Sequence, residues 1–408
     1  MAVPKLRFKE FDEDWSNKKI ENIASKVGSG STPRGGAEAY TDHGVIFIRS
    51  QNVNNDRLLL DDVAYIPEET HLKMSGSKVI ANDILLNITG ASIGRSCVVP
   101  HDFTEANVNQ HVCIIRTPND DPIFVQSFLS SENGQNAIQS KQAGGGREGL
   151  NFQAIRSIDF HFPPSKEEQT KIASFLSAVD EKISQLTQKH QLLSQYKQGM
   201  MQKLFSQQIR FKADDGSEFE EWEETIFEKI GVFLKGKGIS KADIVPDGKI
   251  PCIRYGELYT YYGEVISKII SSTNIEAKNL VLSKANDILI PASGETQIDI
   301  ATASCVLQDN IALSGDLNIF RTKENGIFLS YLIRSKLKMQ IAQLAQGNSV
   351  VHLYASQLKG VSFSLPCLEE QTKIANFLSA IDQKIEVVAQ QIEQAKQWKK
   401  GLLQQMFV

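Results

Sequence analysis

EEQTKIASFLSAVDEKISQLTQKHQLLSQYKQGMMQKLF (167–205) returns as EEQTKIANFLSAIDQKIEVVAQQIEQAKQWKKGLLQQMF (369–407), aligned without a gap and identical at 20 of 39 positions. The shift between the copies is 202 residues, close to half of the 408-residue chain. A repeat of this length sets the domain plan before any local element is considered. Working outward, fainter echoes lie at nearly the same shift: LRFK (6–9) and IRFK (209–212), Ile48-Arg49 and Ile253-Arg254, ANDILL (81–86) and ANDILI (285–290), Arg116-Thr117 and Arg321-Thr322. The order along the chain is diverged segment, repeated segment, diverged segment, repeated segment.

The repeated segments carry an apolar seam. Ile172, Leu176, Val179, Ile183, Leu186, His190, Leu193, Lys197, Met200 and Leu204 follow a 4-3-4-3 spacing, and Ile374, Leu378, Ile381, Ile385, Val388, Ile392, Ala395, Lys399, Leu402 and Met406 fall on the equivalent positions. A period of 3.5 sustained over this length is the condition for a coiled coil. Pro163-Pro164 ends the preceding strand, and Ser165 with Glu168 forms a capping box that starts the first helix. Cys367 stands where Ser165 does, so the second helix is expected to fray in its first turn. Each helix is ~58 Å long, with too much seam exposed to stand alone, so the simplest arrangement pairs the two copies. The alternative is two ordinary amphipathic helices, each packed on its own neighbouring domain. Lys197 and Lys399 interrupt both seams at the same place. An unpaired buried lysine is costly, so each marks an opening of the seam or pairs with a carboxylate; His190 is read as a histidine at the core edge.

The diverged segments, roughly 15–163 and 217–365, read as mixed α/β. VIFIRS (45–50), CVVP (97–100) and HVCIIRT (111–117) are strand-like, whereas IFVQSFLSS (123–131) and IFLSYLIRSKLKMQIAQLAQ (327–346) are helix-like. Polar glycine-containing loops, QAGGGREGLN (142–151) and QGNSVVH (346–352), precede each repeated helix. With 41% hydrophobic and 23% charged residues, 12 Pro and 27 Gly, the chain is neither fibrous nor mostly disordered. Its length fits two to three domains at ~150 residues each. The formal net charge of −4 does not mark a nucleic-acid binder, so a polyanion has to be met by local patches or with help. The five cysteines form no CxxC pair, the first twenty residues lack a signal-peptide core, and no apolar run approaches ~18 residues. These features point to reduced thiols and a cytoplasmic protein.

Catalytic machinery is hard to find. GSGSTPRGG (28–36) resembles a phosphate-cradling loop, but Pro33 takes the third glycine position of G-x-G-x-x-G and no Lys-Ser/Thr follows. Phe162-Pro163-Pro164-Ser165 lacks the flanking residues of a methyltransferase Asn/Asp-Pro-Pro-aromatic run. Pro246-Asp247 with Glu276-Ala277-Lys278 is the nearest nuclease-like set, in turn-like contexts that favour chance. Cys97, His101, His111 and Cys113 are zinc-ligand types, yet both cysteines lie in apolar runs that suit packing. No Ser-His-Asp arrangement stands out, and no catalytic or metal-ligating residue is assigned.

Recognition chemistry remains. Loops and strand ends combine Arg, Asn, Gln, Ser and Thr with Gly at Thr32, Arg34, Arg49, Gln51, Asn52, Ser92, Arg95, Asn109, Gln110 and Arg147 in the first half. The second half offers Lys235, Lys237, Arg254, Tyr255, Ser293, Thr296, Gln297 and Asn348. Arginine forks suit guanine O6/N7 or phosphate, and Asn/Gln amides suit adenine N6/N7. Each is an ordinary loop residue alone; their recurrence at matching places makes them DNA-binding candidates.

Two diverged modules alternating with two repeated helices, the EEQTKIA-FLSA-D-KI helix starts (Glu167–Ile183, Glu369–Ile385), LRF-x2-F-x3-W (Leu6–Trp15) and the ANDIL strands together resemble the specificity subunit of type I restriction-modification enzymes. The resemblance spans essentially the whole chain. It implies an α/β fold of two target recognition domains, 1–164 and 208–366, alternating with spacer helices 165–207 and 367–408 that pair as an antiparallel coiled coil. It further implies a non-catalytic subunit in which each domain reads half of a bipartite site on double-stranded DNA. The helices would set the spacing and dock two methyltransferase subunits, with restriction subunits joining the full complex. No cofactor is expected on this chain; S-adenosylmethionine, ATP and Mg belong to the partners. IRFKADDGSEFEEW (209–222) is longer than its counterpart, and the loops differ throughout. Independently, two related modules on a stiff spacer suit a ligand with two half-sites, because the second contact becomes intramolecular. Modules on one duplex face would meet half-sites ~34 Å apart. A self-contained nuclease or methyltransferase with duplicated domains, or a scaffold without a DNA role, are the competing readings. The first diverged segment is itself not basic, with 13 Lys+Arg against 16 Asp+Glu over residues 16–163, so the chain alone is expected to bind DNA poorly.

Overall fold

The computed structural model describes residues 4–54, 56–142, 149–347 and 350–407. The candidates Arg147 and Asn348 lie outside the described residues. The chain forms two compact units, Met1–Thr187 with Gln390–Val408, and Gln188–Ala389. The repeated segments are helices Lys166–Phe205 and Leu368–Met406, so each unit holds one diverged segment together with a stretch of both helices.

In the first unit a sheet of order Lys26–Ser29, Val112–Arg116, Ile84–Asn87, Ser96–Val98 lies with a second sheet of order Ala64–Ile66, Val45–Ile48, Ala106–Val108, Lys78–Val79. The expected strands at 45–50, 97–100 and 111–117 are therefore present, and Pro122–Ser130 supplies the expected helix. Because alternate residues point to opposite faces, Cys113, Ile115, Ile84 and Leu86 join the helix-facing core with Phe124, Phe128, Phe160 and Phe162. Cys97, Ile114, Leu85 and Val112 join a second core with Ile48 and Val108. The two cysteines are thus buried in different cores, which removes the zinc reading of Cys97 and Cys113. The helix-facing core also contains Ile172, Leu176 and Val179 from the start of the first helix and Leu402, Met406 and Phe407 from the end of the second. Within this unit the two helical stretches run antiparallel.

The second unit repeats the plan. A sheet of order Gly231–Lys235, Leu317–Thr322, Ile288–Pro291, Ser304–Val306, Val265–Ile266 accompanies one of order Ser271–Thr273, Ile250–Ile253, Ala312–Leu313, Val281–Leu282. Its core joins Phe227, Ile288, Phe320 and Phe328 to Met201, Leu204 and Phe205 of the first helix and Ile374, Leu378 and Ile381 of the second. Both readings of the helices hold at once: the seam of each unit is shared between the opposite helix and that unit's own α/β layer. Leu186, Val388 and Ile392 are buried, and Ile183, Leu193 and Ile385 are half-buried. The single helix expected over 327–346 is two, Gly326–Arg334 and Lys338–Leu344. The break follows from Arg334 turning inward to donate to the carbonyls of Ala303, Leu258 and Tyr262. Ser335 Oγ also donates back to Tyr331 O at 2.6 Å, a bond that competes with helix continuation.

The repeated motifs are the joints between helix and α/β layer. Glu168, fully buried, accepts from Arg7 at 2.7 and 2.8 Å and from the Trp15 indole at 3.1 Å. Glu370 does the same with Arg210 at 3.1 and 2.9 Å and Trp222 at 3.1 Å. Bonding to these carboxylates raises the pKa of both arginines. Gln169 accepts from Asp121 N, and Gln371 from Asn325 N; Asp121 and Asn325 in turn cap the helices Pro122–Ser130 and Gly326–Arg334. These anchors hold the first turn of the second helix, which begins at Leu368 without fraying. Ser165 Oγ accepts from Glu168 N at 3.2 Å, but the Glu168 carboxylate is committed elsewhere, so only half of the expected capping box forms. The ANDIL and Arg-Thr echoes are likewise one joint: Asp83 binds Arg116 through two bonds of 2.7 and 2.8 Å, and Asp287 binds Arg321 at 2.7 and 2.6 Å.

Candidate nucleic-acid interface

The first unit gathers part of the candidate set at one corner of its sheets. The Thr32 hydroxyl donates to Gln110 Oε1 at 2.6 Å, Gln110 Nε2 meets His111 Nε2 at 3.0 Å, and His111 Nδ1 meets the Thr89 hydroxyl at 2.5 Å. Gly30 N donates to Asn109 O at 3.1 Å, and a Cβ on Gly30 would lie 1.7 Å from Val108 O. This glycine of GSGSTPRGG serves a close approach of two backbones, not a phosphate cradle. Thr32, Arg34 and Gln110 are exposed there.

The second unit has the matching corner. Lys237 N donates to Leu313 O at 3.0 Å, Gly315 N to Gly238 O at 3.0 Å, and Gly236 has no room for a Cβ beside Ser314 O. Ser293 Oγ meets His352 Nδ1 at 3.1 Å, and His352 stacks near Tyr354 with ring centroids 6.2 Å apart. Lys235, Lys237 and Tyr354 are exposed. Such a corner offers ammonium groups for phosphate and the exposed Tyr354 ring for bases or sugars. Sequence reasoning did not single out His352 or Tyr354; the adjacent Gly-containing loop was the only sign of them.

A second cluster surrounds the Ile-Arg echo. The buried Asn52 accepts from Arg49 N at 2.9 Å and donates to Leu59 O and Asp62 O at 3.0 and 2.8 Å. Its amide is spent on the turn, so this DNA-binding candidate of the sequence is engaged within the protein. Asn109 is buried and accepts from His111 N, and Ser293 is buried against His352, so these two support the corners from beneath. Arg254 is occupied by the buried Glu257 through a 3.0 Å bond, and Tyr255 packs partly into the core. Gln51 donates to Asp62 at 3.0 Å, with Arg49 4.0 Å from the same carboxylate. Thr296 caps the short helix Gln297–Ile300, and Gln297 donates to Ala345 O at 3.4 Å; both stay exposed. Ser92 is half-buried and Arg95 exposed.

The enzymatic alternatives find little support in the geometry. Glu276 pairs with Lys278 at 2.5 Å on the surface. Among the described residues one group has metal-ligand geometry, Glu68, His71 and Glu105. His71 Nδ1 meets Asn107 Oδ1 at 2.5 Å, and Glu105 pairs with Lys78 and lies 3.4 Å from His71 Nε2. Among the described residues no helix is long and apolar enough to cross a membrane.

Comparison with known proteins gives this arrangement a lineage. The family model described as "Type I restriction modification DNA specificity domain" matches twice, over residues 12–195 and 220–397. The type I restriction enzyme MjaVIII specificity subunit of Methanocaldococcus jannaschii is 26% identical over 355 residues, covering 81% of this chain and 80% of that protein. The crystal structure of the type I restriction-modification S subunit from M. genitalium superposes with a TM-score of 0.61 at 16% identity, covering 100% of this chain and 99% of the other. A chain from a structure concerned with complex assembly and conformational transition of the type I R-M system reaches a TM-score of 0.57 at 13% identity, covering 96% and 97%. The chain belongs to the type I restriction-modification DNA specificity family, as a two-domain specificity subunit and so the recognition component of such a system rather than its catalytic one.

Proposed function

We propose that the chain reads a bipartite site on double-stranded DNA, with recognition domains 1–164 and 208–366 each taking one half. The observation that carries this reading is the double match to a DNA specificity domain, with an equivalent loop corner in each compact unit. The exposed candidates Thr32, Arg34, Gln110, Lys235, Lys237, Thr296 and Gln297 would contact the duplex, while Asn52, Asn109 and Ser293 shape the loops. The paired helices would set the gap between half-sites and dock two methyltransferase subunits. Those partners would bring S-adenosylmethionine and direct adenine methylation; restriction subunits would add ATP- and Mg-dependent cleavage.

A net charge of −4 leaves few counterions for this chain to displace on its own, so the partners would supply much of the phosphate-neutralising charge. Single-molecule sequencing of methylated DNA from cells with and without this chain tests the reading. Loss of one two-part modified motif is expected, and an unchanged methylome would overturn it.

A further inference from the structure

The two lysines that interrupt the seams are not open to solvent. In the first unit Lys399 Nζ lies 3.0 Å from Asp56 Oδ2 and 2.7 Å from Asp180 Oδ1, with the lysine side chain 14% exposed. In the second unit Lys197 Nζ lies 2.9 and 3.0 Å from the two oxygens of Glu264 and 2.7 Å from Asp382 Oδ1. Each ammonium therefore bridges a carboxylate of the opposite helix to a carboxylate of the α/β layer.

The helical members are exact repeats, since Lys197 and Lys399, like Asp180 and Asp382, are 202 residues apart. The α/β members are not. Asp56 sits at φ +62° between the short strands Val53–Asn54 and Arg57–Leu58, where it also accepts from Gln126 Nε2 at 2.8 Å and from Ser130. Glu264 immediately precedes strand Val265–Ile266. The two diverged layers thus present a carboxylate to equivalent helical lysines from different local sequences.

Flanking bonds fix the geometry further. Arg57 donates to Ser184 Oγ at 3.1 Å and Asp180 O at 3.3 Å, and Asp382 also accepts from the Tyr331 hydroxyl. Burial alone would push Lys399 towards neutrality, but Asp56 and Asp180 outweigh it and raise its pKa. A buried ion pair is seldom the most stable filling for a seam position, because desolvation consumes most of its Coulombic gain. Its distinctive property is direction: three charged groups meet in one geometry, whereas apolar contacts tolerate sliding.

We propose that Lys197 and Lys399 are positioning residues, each holding the recognition domain of its own unit in a single stance on the helix pair, and that this stance is what makes the complex discriminate the number of base pairs between half-sites. The inference rests on the bipartite-site reading above. The test uses the whole complex with its methyltransferase subunits and a series of duplexes that differ only in the gap between half-sites.

Lys399→Met is expected to lower the ratio of methylation rates at the preferred gap and at one base pair more or less by about tenfold, while methylation at the preferred gap persists. Lys399→Arg is expected to restore most of the ratio, and Lys197→Met to act in the same direction. A Lys399→Met complex with the wild-type ratio would overturn the proposal. Should that variant fail to assemble, Asp56→Asn carries the same expectation and the same overturning result. Hydrogen exchange reads the joint without DNA: faster exchange over residues 53–58 in Lys399→Met supports the anchoring, and unchanged exchange refutes it. A wild-type complex that methylates no two-part site while exchange over 53–58 still responds to Lys399→Met would fail the function and leave the joint standing.

Discussion

The indole N–H of Trp15 donates to the carboxylate of Glu168 at 3.1 Å, across 153 positions of the chain. Arg7 holds both oxygens of the same carboxylate, so a single buried anion joins the Arg7–Trp15 segment to the first turn of the long helix. Removing it leaves an arginine and an indole without their acceptor. Glu168→Ala is expected to destabilise the first unit by about 3–5 kcal/mol, read as an earlier urea transition, and Glu168→Gln by less because it keeps an acceptor for Trp15. Glu370→Ala is expected to do the same to the second unit through Arg210 and Trp222.

The seam is a packing surface shared by helix and α/β layer, so its truncation opens a cavity that one partner alone cannot close. Leu176 and Leu378 are fully buried. Leu→Ala at either position is expected to cost about 2–5 kcal/mol, measurable by chemical denaturation. Leu192→Ala, on a side chain 56% exposed, is expected to change stability by less than about 0.5 kcal/mol.

The thiols give a pH signature. Burial pushes Cys97, Cys113 and Cys305 up to about 12. A folded state that keeps its thiols neutral binds more protons than the unfolded chain once the medium passes the ordinary thiol range, so stability falls as pH rises. That contribution is fully present below pH ~9 and is lost progressively towards pH ~12. Alkylation of the native chain at pH 8 followed by mass spectrometry is expected to label Cys367, the exposed cysteine, before the four buried ones.

Contacts to phosphate and to bases differ in their dependence on salt. Lys235→Ala and Lys237→Ala are each expected to weaken DNA binding by the complex about equally for all sequences and to reduce the slope of log affinity against log salt by about 1. Gln110→Ala is expected to leave that slope unchanged and to alter preference at one half-site. Filter binding at several salt concentrations distinguishes the two behaviours.

The long helices, the strands at 45–50, 97–100 and 111–117, the ANDIL strands and the two-fold repetition are legible in the sequence because they are written in periodicity and repetition, which are local. The pairings of Ile172 and Ile374 with the opposite helix follow from the same pattern. The partners of Lys197 and Lys399 are not legible: Asp56 and Glu264 stand in unremarkable turn sequences, and only the folded chain brings them within 3 Å. Asn52 shows the opposite failure. Its residue type suits adenine, but a turn that needed a buried acceptor and two donors had already taken it. The helix over 327–346 breaks for a similar reason, since Arg334 serves carbonyls distant in sequence. Helix pattern alone gives no hint that each compact unit takes part of both helices.

The joints made by Glu168, Gln169 and their counterparts have a bearing on how such a chain changes over generations. A substitution at the start of either long helix disturbs at once Arg7 or Arg210, the indole and the cap of a neighbouring helix, so several contacts are lost together. A substitution at an exposed loop corner has no such obligations. Drift in one polypeptide is thereby channelled towards the surfaces that meet the outside world, and the two halves can part company there while their frame stays alike.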